Sequence, residues 1–217
     1  INLQKKLTTQ PLQQGIISKY YAPTDDNNIQ IGERVFYTVR NAHYLDTSRS
    51  YISELPSNIQ PFFLAPLISE ASIHSNTGGV FKGFYKNKTG IGQLGGDGRN
   101  ALRRIRGNII LPFPIFSNFH TKISLFQEDA NSLAPKLEPV DIAYLDPPYN
   151  QHPYGSNYFM LNLLVNYQTP KDISVVSGIP KDWNRSKYNK KGLAQETLKK
   201  LCQDISAKYL LISFNSE

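Results

Sequence analysis

The run Ile142-Ala143-Tyr144-Leu145-Asp146-Pro147-Pro148-Tyr149 decides the fold. Its first half is an apolar stretch of the length of a buried strand, and its second half is a stiff corner. In open α/β sheets, functional groups gather beyond the carboxyl ends of the strands, so this corner falls where a site is expected. Working outward, Val140–Leu145 is a strand ended by Asp146. Upstream, Ile123–Phe126 is a second apolar strand ending at Gln127-Glu128-Asp129, with a short helix or loop over Asn131–Leu137. Downstream, Ser156–Tyr167 carries Phe159, Met160, Leu163, Leu164 and Tyr167 at helical spacing. Gly192–Ser206 is an amphipathic helix built on Leu193, Leu198, Leu201 and Ile205, and Tyr209–Phe214 is a third buried strand. Strands alternating with helices predict an α/β fold with a mostly parallel sheet.

Nearer the start, Val39, Ala42, Leu45 and Ile52 recur at helical spacing behind Thr38, a natural N-cap. Pro61–His74 reads as another helix with Pro61 near its start. Residues 1–33 show no sustained period. Between 75 and 121 the character changes. Glycines punctuate a stretch bearing Lys82, Lys86, Lys88, Arg99, Arg103, Arg104 and Arg106, opposed before Arg106 by Asp97 alone. That composition predicts an inserted surface element. The chain thus divides into a helical part at 1–74, a basic glycine-rich insert at 75–121 and a catalytic α/β part at 122–217.

Across its 217 residues, 24 Lys+Arg face 17 Asp+Glu, a formal charge of +7 and a sequence pI near 9.4, which suits a polyanionic partner. Thirteen Tyr and eleven Phe supply rings for the core and for base stacking. The single cysteine, Cys202, excludes a disulfide scaffold and a cysteine-rich zinc module, and fits the reducing cytoplasm. His43, His74, His120 and His152 lack metal-ligand spacing, so no metal site is expected. No run approaches the roughly 18 apolar residues needed to span a bilayer, so a membrane protein is excluded.

The corner has a particular chemistry. Pro147 and Pro148 have fixed φ and no N–H, so with the Asp146 carboxylate the corner offers acceptors only. An exocyclic amino group, with two N–H donors, is its natural guest, and Tyr149 adds a face on which the attached heterocycle can stack. In adenine the N6 lone pair is delocalised into the ring. Two acceptors that favour a pyramidal nitrogen localise it for attack on an electrophilic methyl group, and Asp146 stabilises the positive amine that forms. A base in a duplex must first be flipped out, at a cost of a few kcal/mol.

Asp146-Pro147-Pro148-Tyr149 resembles the catalytic motif of adenine-specific DNA methyltransferases. The longer run Tyr144–Asn150, with Tyr154-Gly155-Ser156-Asn157-Tyr158, is similar to the Dam-related subgroup of bacterial restriction–modification methylases. Leu211–Glu217 resembles that subgroup's next strand. The resemblance implies a Rossmann-like methyltransferase sheet, here partial, and S-adenosylmethionine as methyl donor. It also implies N6-methyladenine in double-stranded DNA as product and a cognate restriction endonuclease as partner. Carried over, Asp146 and the Pro147 carbonyl hold the amine and Tyr149 stacks on its base. Asp129, with Glu128 beside it, approaches the cofactor, as does Asp146. Tyr154, Asn157 and Tyr158 line the flipped-base pocket. The insert becomes the DNA-facing element through Lys82, Lys86, Lys88, Arg99, Arg103, Arg104 and Arg106. A second basic loop, with Arg185 and Lys187, follows the catalytic strand.

One departure stands out. Family members carry, upstream, a strand and a Phe-x-Gly-x-Gly loop that cradles the cofactor, and residues 1–35 contain neither. Gly90-Ile91-Gly92-Gln93-Leu94-Gly95 matches a nucleotide-loop pattern formally but follows Lys86-Asn87-Lys88-Thr89, not an apolar strand. The ends at Ile1 and Glu217 therefore read as boundaries of a fragment. Two alternatives stand beside the leading one: methylation of cytosine N4, whose amine presents the same donors, and a DNA-binding remnant that cannot hold cofactor.

Overall fold

A computed structural model describes residues 3–148 and 151–213. The chain forms two compact units: residues 1–116 with 156–183, and residues 117–155 with 184–217.

The first unit is helical around an aromatic core. Short helices α1 (Leu3–Thr9) and α2 (Ile16–Tyr21) occupy the stretch that shows no period in the sequence. Next comes α3 (Val39–Ser53), started as expected by Thr38, whose hydroxyl accepts from the Asn41 N–H at 3.2 Å. In α4 (Gln60–Ile73), Pro61 lies in the first turn, where its missing N–H costs nothing. Tyr21, Phe36, Phe81 and Phe159 meet edge-on or tilted, with centroids 5.6–6.5 Å apart.

Residues 75–111 are built into this unit rather than laid on it, which corrects the expectation of a surface element. Phe81, Ile105, Ile109 and Leu111 are buried, and the short helix α5 (Leu102–Arg106) packs Ile105 against Val35 and Leu94. Asn76, fully buried, is the hub. Its N–H donates to Phe36 O, its Nδ2 donates to Val35 O and Gln93 O, its Oδ1 accepts from Gly95 N–H, and its O accepts from Tyr85 N–H. Gly95 and Gly96 then turn the chain at positive φ (76° and 61°), where a Cβ would lie 3.0 Å from Arg99 C and 3.2 Å from Lys86 O.

The second unit holds α6 (Ala130–Leu133), β1 (Val140–Leu145), the start of α7 (Tyr154–Asn157), α9 (Ala194–Asp204) and β2 (Ala207–Ile212). Helix α8 (Phe159–Asn166) belongs to the first unit. Strands β1 and β2 pair in parallel, from Val140 opposite Ala207 to Leu145 opposite Ile212. Leu198 and Leu201 of α9 close a small core with Ala134, Leu145 and Tyr188.

Three expectations change. Residues 123–126 form no strand and lie exposed, Leu125 at 91%, because among the described residues no neighbouring strand completes their ladder. Strands β1 and β2 are only partly buried: Ala143 and Leu145 are covered, whereas Ile142, Tyr144, Tyr209 and Leu211 each face solvent. The helix expected over 156–167 is two pieces, interrupted at Tyr158 (φ −121°, ψ 24°), where the preceding Asn157 carbonyl accepts the Phe81 N–H at 2.7 Å instead of continuing a helical ladder.

Candidate active site

Beyond Leu145, β1 runs out at Asp146, beside β2, where the Ser213 N–H donates to Leu145 O at 2.9 Å. Asp146 is exposed and Pro147 beside it is buried, so a carboxylate stands on an anchored corner. Among the described residues, none hydrogen-bonds that carboxylate. Tyr149 lies outside the described residues.

The corner opens on a cleft of about 850 Å³ within the second unit, with Glu128 and Asp129 on one wall and Arg185 and Lys187 on another. Asp129 is the N-cap of α6: its Oδ1 accepts from Asn131 N–H at 3.1 Å and Ser132 N–H at 3.2 Å, and Oδ2 takes no part in the cap. Glu128 pairs with Lys136 at 2.8 Å on the surface. The loop carrying Arg185 and Lys187 is held by Tyr188, whose hydroxyl donates to Asn131 Oδ1 at 2.9 Å while Asn131 Nδ2 donates to Thr197 O at 2.8 Å. Burial, and then the nearby Asp129 charge, push the Tyr188 phenol up to about 12, so it remains a donor at neutral pH. In the sequence this tether shows only as an aromatic ring, Tyr188, among the cations of a polar loop.

The remaining predicted residues fall elsewhere. Tyr154, half-exposed, is assigned to the second unit, and Asn157 and Tyr158 to the first. Asn157 is buried and its Oδ1 finds no partner among the described residues. The cations of the basic segment belong to the first unit. Lys82, Lys88, Arg99, Arg103 and Arg106 are exposed, and the exposed Lys86 ammonium sits 5.2 Å from the Phe84 ring centroid. Arg104 differs. Its guanidinium donates to Ser75 O at 2.9 Å, to Thr77 O at 3.2 Å and to Ile73 O, and its own carbonyl accepts from His74 Nδ1 at 2.6 Å. It ties the end of α4 to α5.

A larger cavity of about 1070 Å³ lies in the first unit. Its buried carboxylate, Asp46, already accepts from the N–H groups of Ile17 and Ser18 and from the Tyr167 hydroxyl. The acid there caps α2, whereas the acids of the smaller cleft keep free lone pairs. Among the described residues, no cluster of His, Cys, Asp or Glu could hold a metal, and no helix is long and apolar enough to cross a membrane.

The family model for D12 class N6 adenine-specific DNA methyltransferases matches residues 1–215. Among curated proteins, the chain is 30% identical to Type II methyltransferase M.CviAII of Paramecium bursaria Chlorella virus 1, over 94% of this chain and 56% of that one. It is also 30% identical to Type II methyltransferase M.NlaIII of Neisseria lactamica, over 99% of this chain and 60% of that one. Modification methylase StsI of Streptococcus sanguinis is 31% identical over 91% of this chain and 28% of its own length. The chain thus spans little more than half the length of the first two relatives. No solved structure matches it significantly.

Proposed function

The chain belongs to the D12 class of N6 adenine-specific DNA methyltransferases, and on that premise we propose that it holds the target amine during methylation of adenine in double-stranded DNA. The observation that carries this reading is the exposed Asp146 carboxylate on the anchored Pro147 corner, at the carboxyl end of β1 in an acid-lined cleft. Asp146 and the Pro147 carbonyl accept the two N6 hydrogens, which favours a pyramidal nitrogen and localises its lone pair. The fixed carboxylate then offsets the positive charge that develops on the nitrogen. Because the corner is stiff, the acceptors need little rearrangement as the reaction proceeds. Tyr149 is assigned to stacking on the flipped base, and Tyr154, Asn157 and Tyr158 are assigned as further substrate contacts.

The donor set fits S-adenosylmethionine. Glu128, Asp129 and Asp146 supply three carboxylates around one cleft, which suits a sulfonium and a ribose diol. Asp129 and Glu128 would hold its adenosine end, with Asp146 facing the sulfonium. When bound, the cofactor supplies the electrophilic methyl group.

The parallel pair β1–β2 is read as part of a Rossmann-like sheet. The division at 1–74, 75–121 and 122–217 is kept as a functional one, with the exposed cations of 82–106 and the 184–188 loop facing DNA phosphates. Two relatives are named Type II methyltransferases, so a cognate restriction endonuclease acting on the same site is the expected partner, in the cytoplasm. The test is to incubate the full-length native protein with S-adenosylmethionine and a random-sequence duplex pool, then map modified bases. N6-methyladenine in one short context is expected; a pool without it, or one bearing N4-methylcytosine, overturns the reading.

A further inference from the structure

In the first unit, residues 172–181 form a short hairpin after α8, and its tip is apolar and exposed. Val175 is 86% exposed and Val176 62%. Exposed valines are ordinary in a loose loop, but this one is fastened throughout. Ile173 and Pro180 pair as an antiparallel bridge, and Lys181 N–H donates to Asp172 O. Across the tip, Ser174 N–H donates to Ile179 O at 2.9 Å and Gly178 N–H to Ser174 O at 3.0 Å. The Ser174 and Ser177 hydroxyls meet at 2.6 Å. Two side chains from outside the hairpin anchor it. The buried Tyr21 donates its hydroxyl to Gly178 O at 2.8 Å, and Arg34 Nη2 donates to Val175 O at 2.9 Å and Ser174 O at 3.2 Å. Gly178 turns at φ 70°, where a Cβ would lie 2.6 Å from the Tyr21 ring and 2.8 Å from Arg34 Cδ. This brace leaves the buried Arg34 Nε without a partner among the described residues.

A simple connection needs no such bracing, because surface loops tolerate mobility. A rigid apolar tip held out in water suits insertion into an apolar gap of fixed shape. The substrate proposed above opens one during the reaction. When a nucleotide is flipped out, the stack loses one base and the faces above and below it are exposed to water. Apolar wedges between base steps are a recurrent way for proteins to meet an unstacked duplex. The charges favour that contact over a phosphate clamp. Within 172–181 they are Asp172 and Lys181, which pair with each other at 3.0 Å. Arg34 donates to the tip's own carbonyls, so what the tip offers a partner is its two valines.

We propose that Val175 and Val176 form an apolar wedge that enters the duplex where the target nucleotide is flipped out and covers the base faces it leaves. The inference rests on the proposed DNA substrate and deepens it. In the test, the full-length native protein selects its preferred duplex from a random pool, and 2-aminopurine then replaces each adenine of that duplex in turn. Wild type is expected to brighten one position as that base leaves the stack. Changing both valines to serine (Val175→Ser with Val176→Ser) should lower the flipping equilibrium there roughly 10- to 100-fold. The salt dependence of binding should be unchanged. Changing both to isoleucine should keep flipping near wild type. A mismatch opposite the target makes flipping easier, so on that duplex the serine variant should approach wild type. The wedge is overturned by a serine variant that flips as well as wild type, by an equal deficit on the mismatched duplex, or by an isoleucine variant that fails as the serine one does. Absence of brightening with wild type overturns it too. So does a serine variant that loses stability to urea, because the valines then pack against the rest of the chain. Methyladenine is mapped separately on the selected duplex. A base that flips but is never methylated overturns the catalytic reading and leaves the wedge standing.

Discussion

At the end of β1 the polar atoms are left over after folding: the Asp146 carboxylate has no partner among the described residues, and Pro147 beside it is buried. In residues 75–107 some polar side chains are engaged by the fold while their neighbours stay exposed. Asn76 binds neighbours with its backbone and both ends of its carboxamide, and the Arg104 guanidinium caps three carbonyls. A cation or amide in a glycine-rich segment is therefore a ligand candidate only after its donors have been counted. In the corner the count is trivial. In the basic segment it separates Arg103 from Arg104, neighbours with opposite circumstances.

The largest effect tests the corner. In the full-length protein, Asp146→Ala should lower single-turnover methyl transfer on the order of 10²–10³-fold, the range for removing one preorganised electrostatic contact, with DNA affinity nearly unchanged. Turnover retained within tenfold would remove the carboxylate from the chemistry. Next comes the frame of the basic segment. Asn76→Ala leaves the Gly95 N–H and two carbonyls unsatisfied in the core, so urea denaturation should show a loss of about 3 kcal/mol. A loss below about 0.5 kcal/mol would mean that the segment is not fixed by its hub.

The adjacent arginines sharpen the contrast. Arg104→Ala should destabilise by about 1–2 kcal/mol through the orphaned carbonyls at the end of α4. Arg103→Ala should leave stability within about 0.5 kcal/mol but lower the slope of log K against log salt by about 0.9, one phosphate contact. If the two variants behave alike, counting donors has no value here.

The same asymmetry explains what could be read from the residues alone. The β1 corner, α3 with its Thr38 cap, α4 with Pro61 and the amphipathic α9 are legible because each is specified by neighbours in sequence: caps, prolines and apolar spacing. The strand expected at 123–126 fails because an apolar run becomes a strand only when another supplies its ladder, and that partner is not a local property. Arg104 and Asn76 are illegible for the same reason. Their partners lie up to 41 residues away, as Val35 does from Asn76, and a composition count treats Arg104 as one more surface charge. Within the cleft, Glu128 and Asp129 stand out in the sequence as adjacent acids, although the strand they were expected to end does not form, whereas the Tyr188–Asn131 tether depends on packing between α6 and the loop after residue 183.

Asp129 joins the two kinds of residue, because one oxygen serves the fold while the other is proposed to serve the cofactor. Substitutions can separate the two roles. Asp129→Asn keeps an oxygen to cap α6, so stability should change by only a few tenths of a kcal/mol, while affinity for S-adenosylmethionine, read by calorimetry, should fall. Asp129→Ala removes the cap as well and should cost about 1 kcal/mol in addition. A ligand affinity that survives Asp129→Asn but drops in Asp129→Ala would make Asp129 a helix cap alone. The cofactor contact would then have to come from Glu128, whose surface pairing with Lys136 leaves its carboxylate within reach of the same cleft.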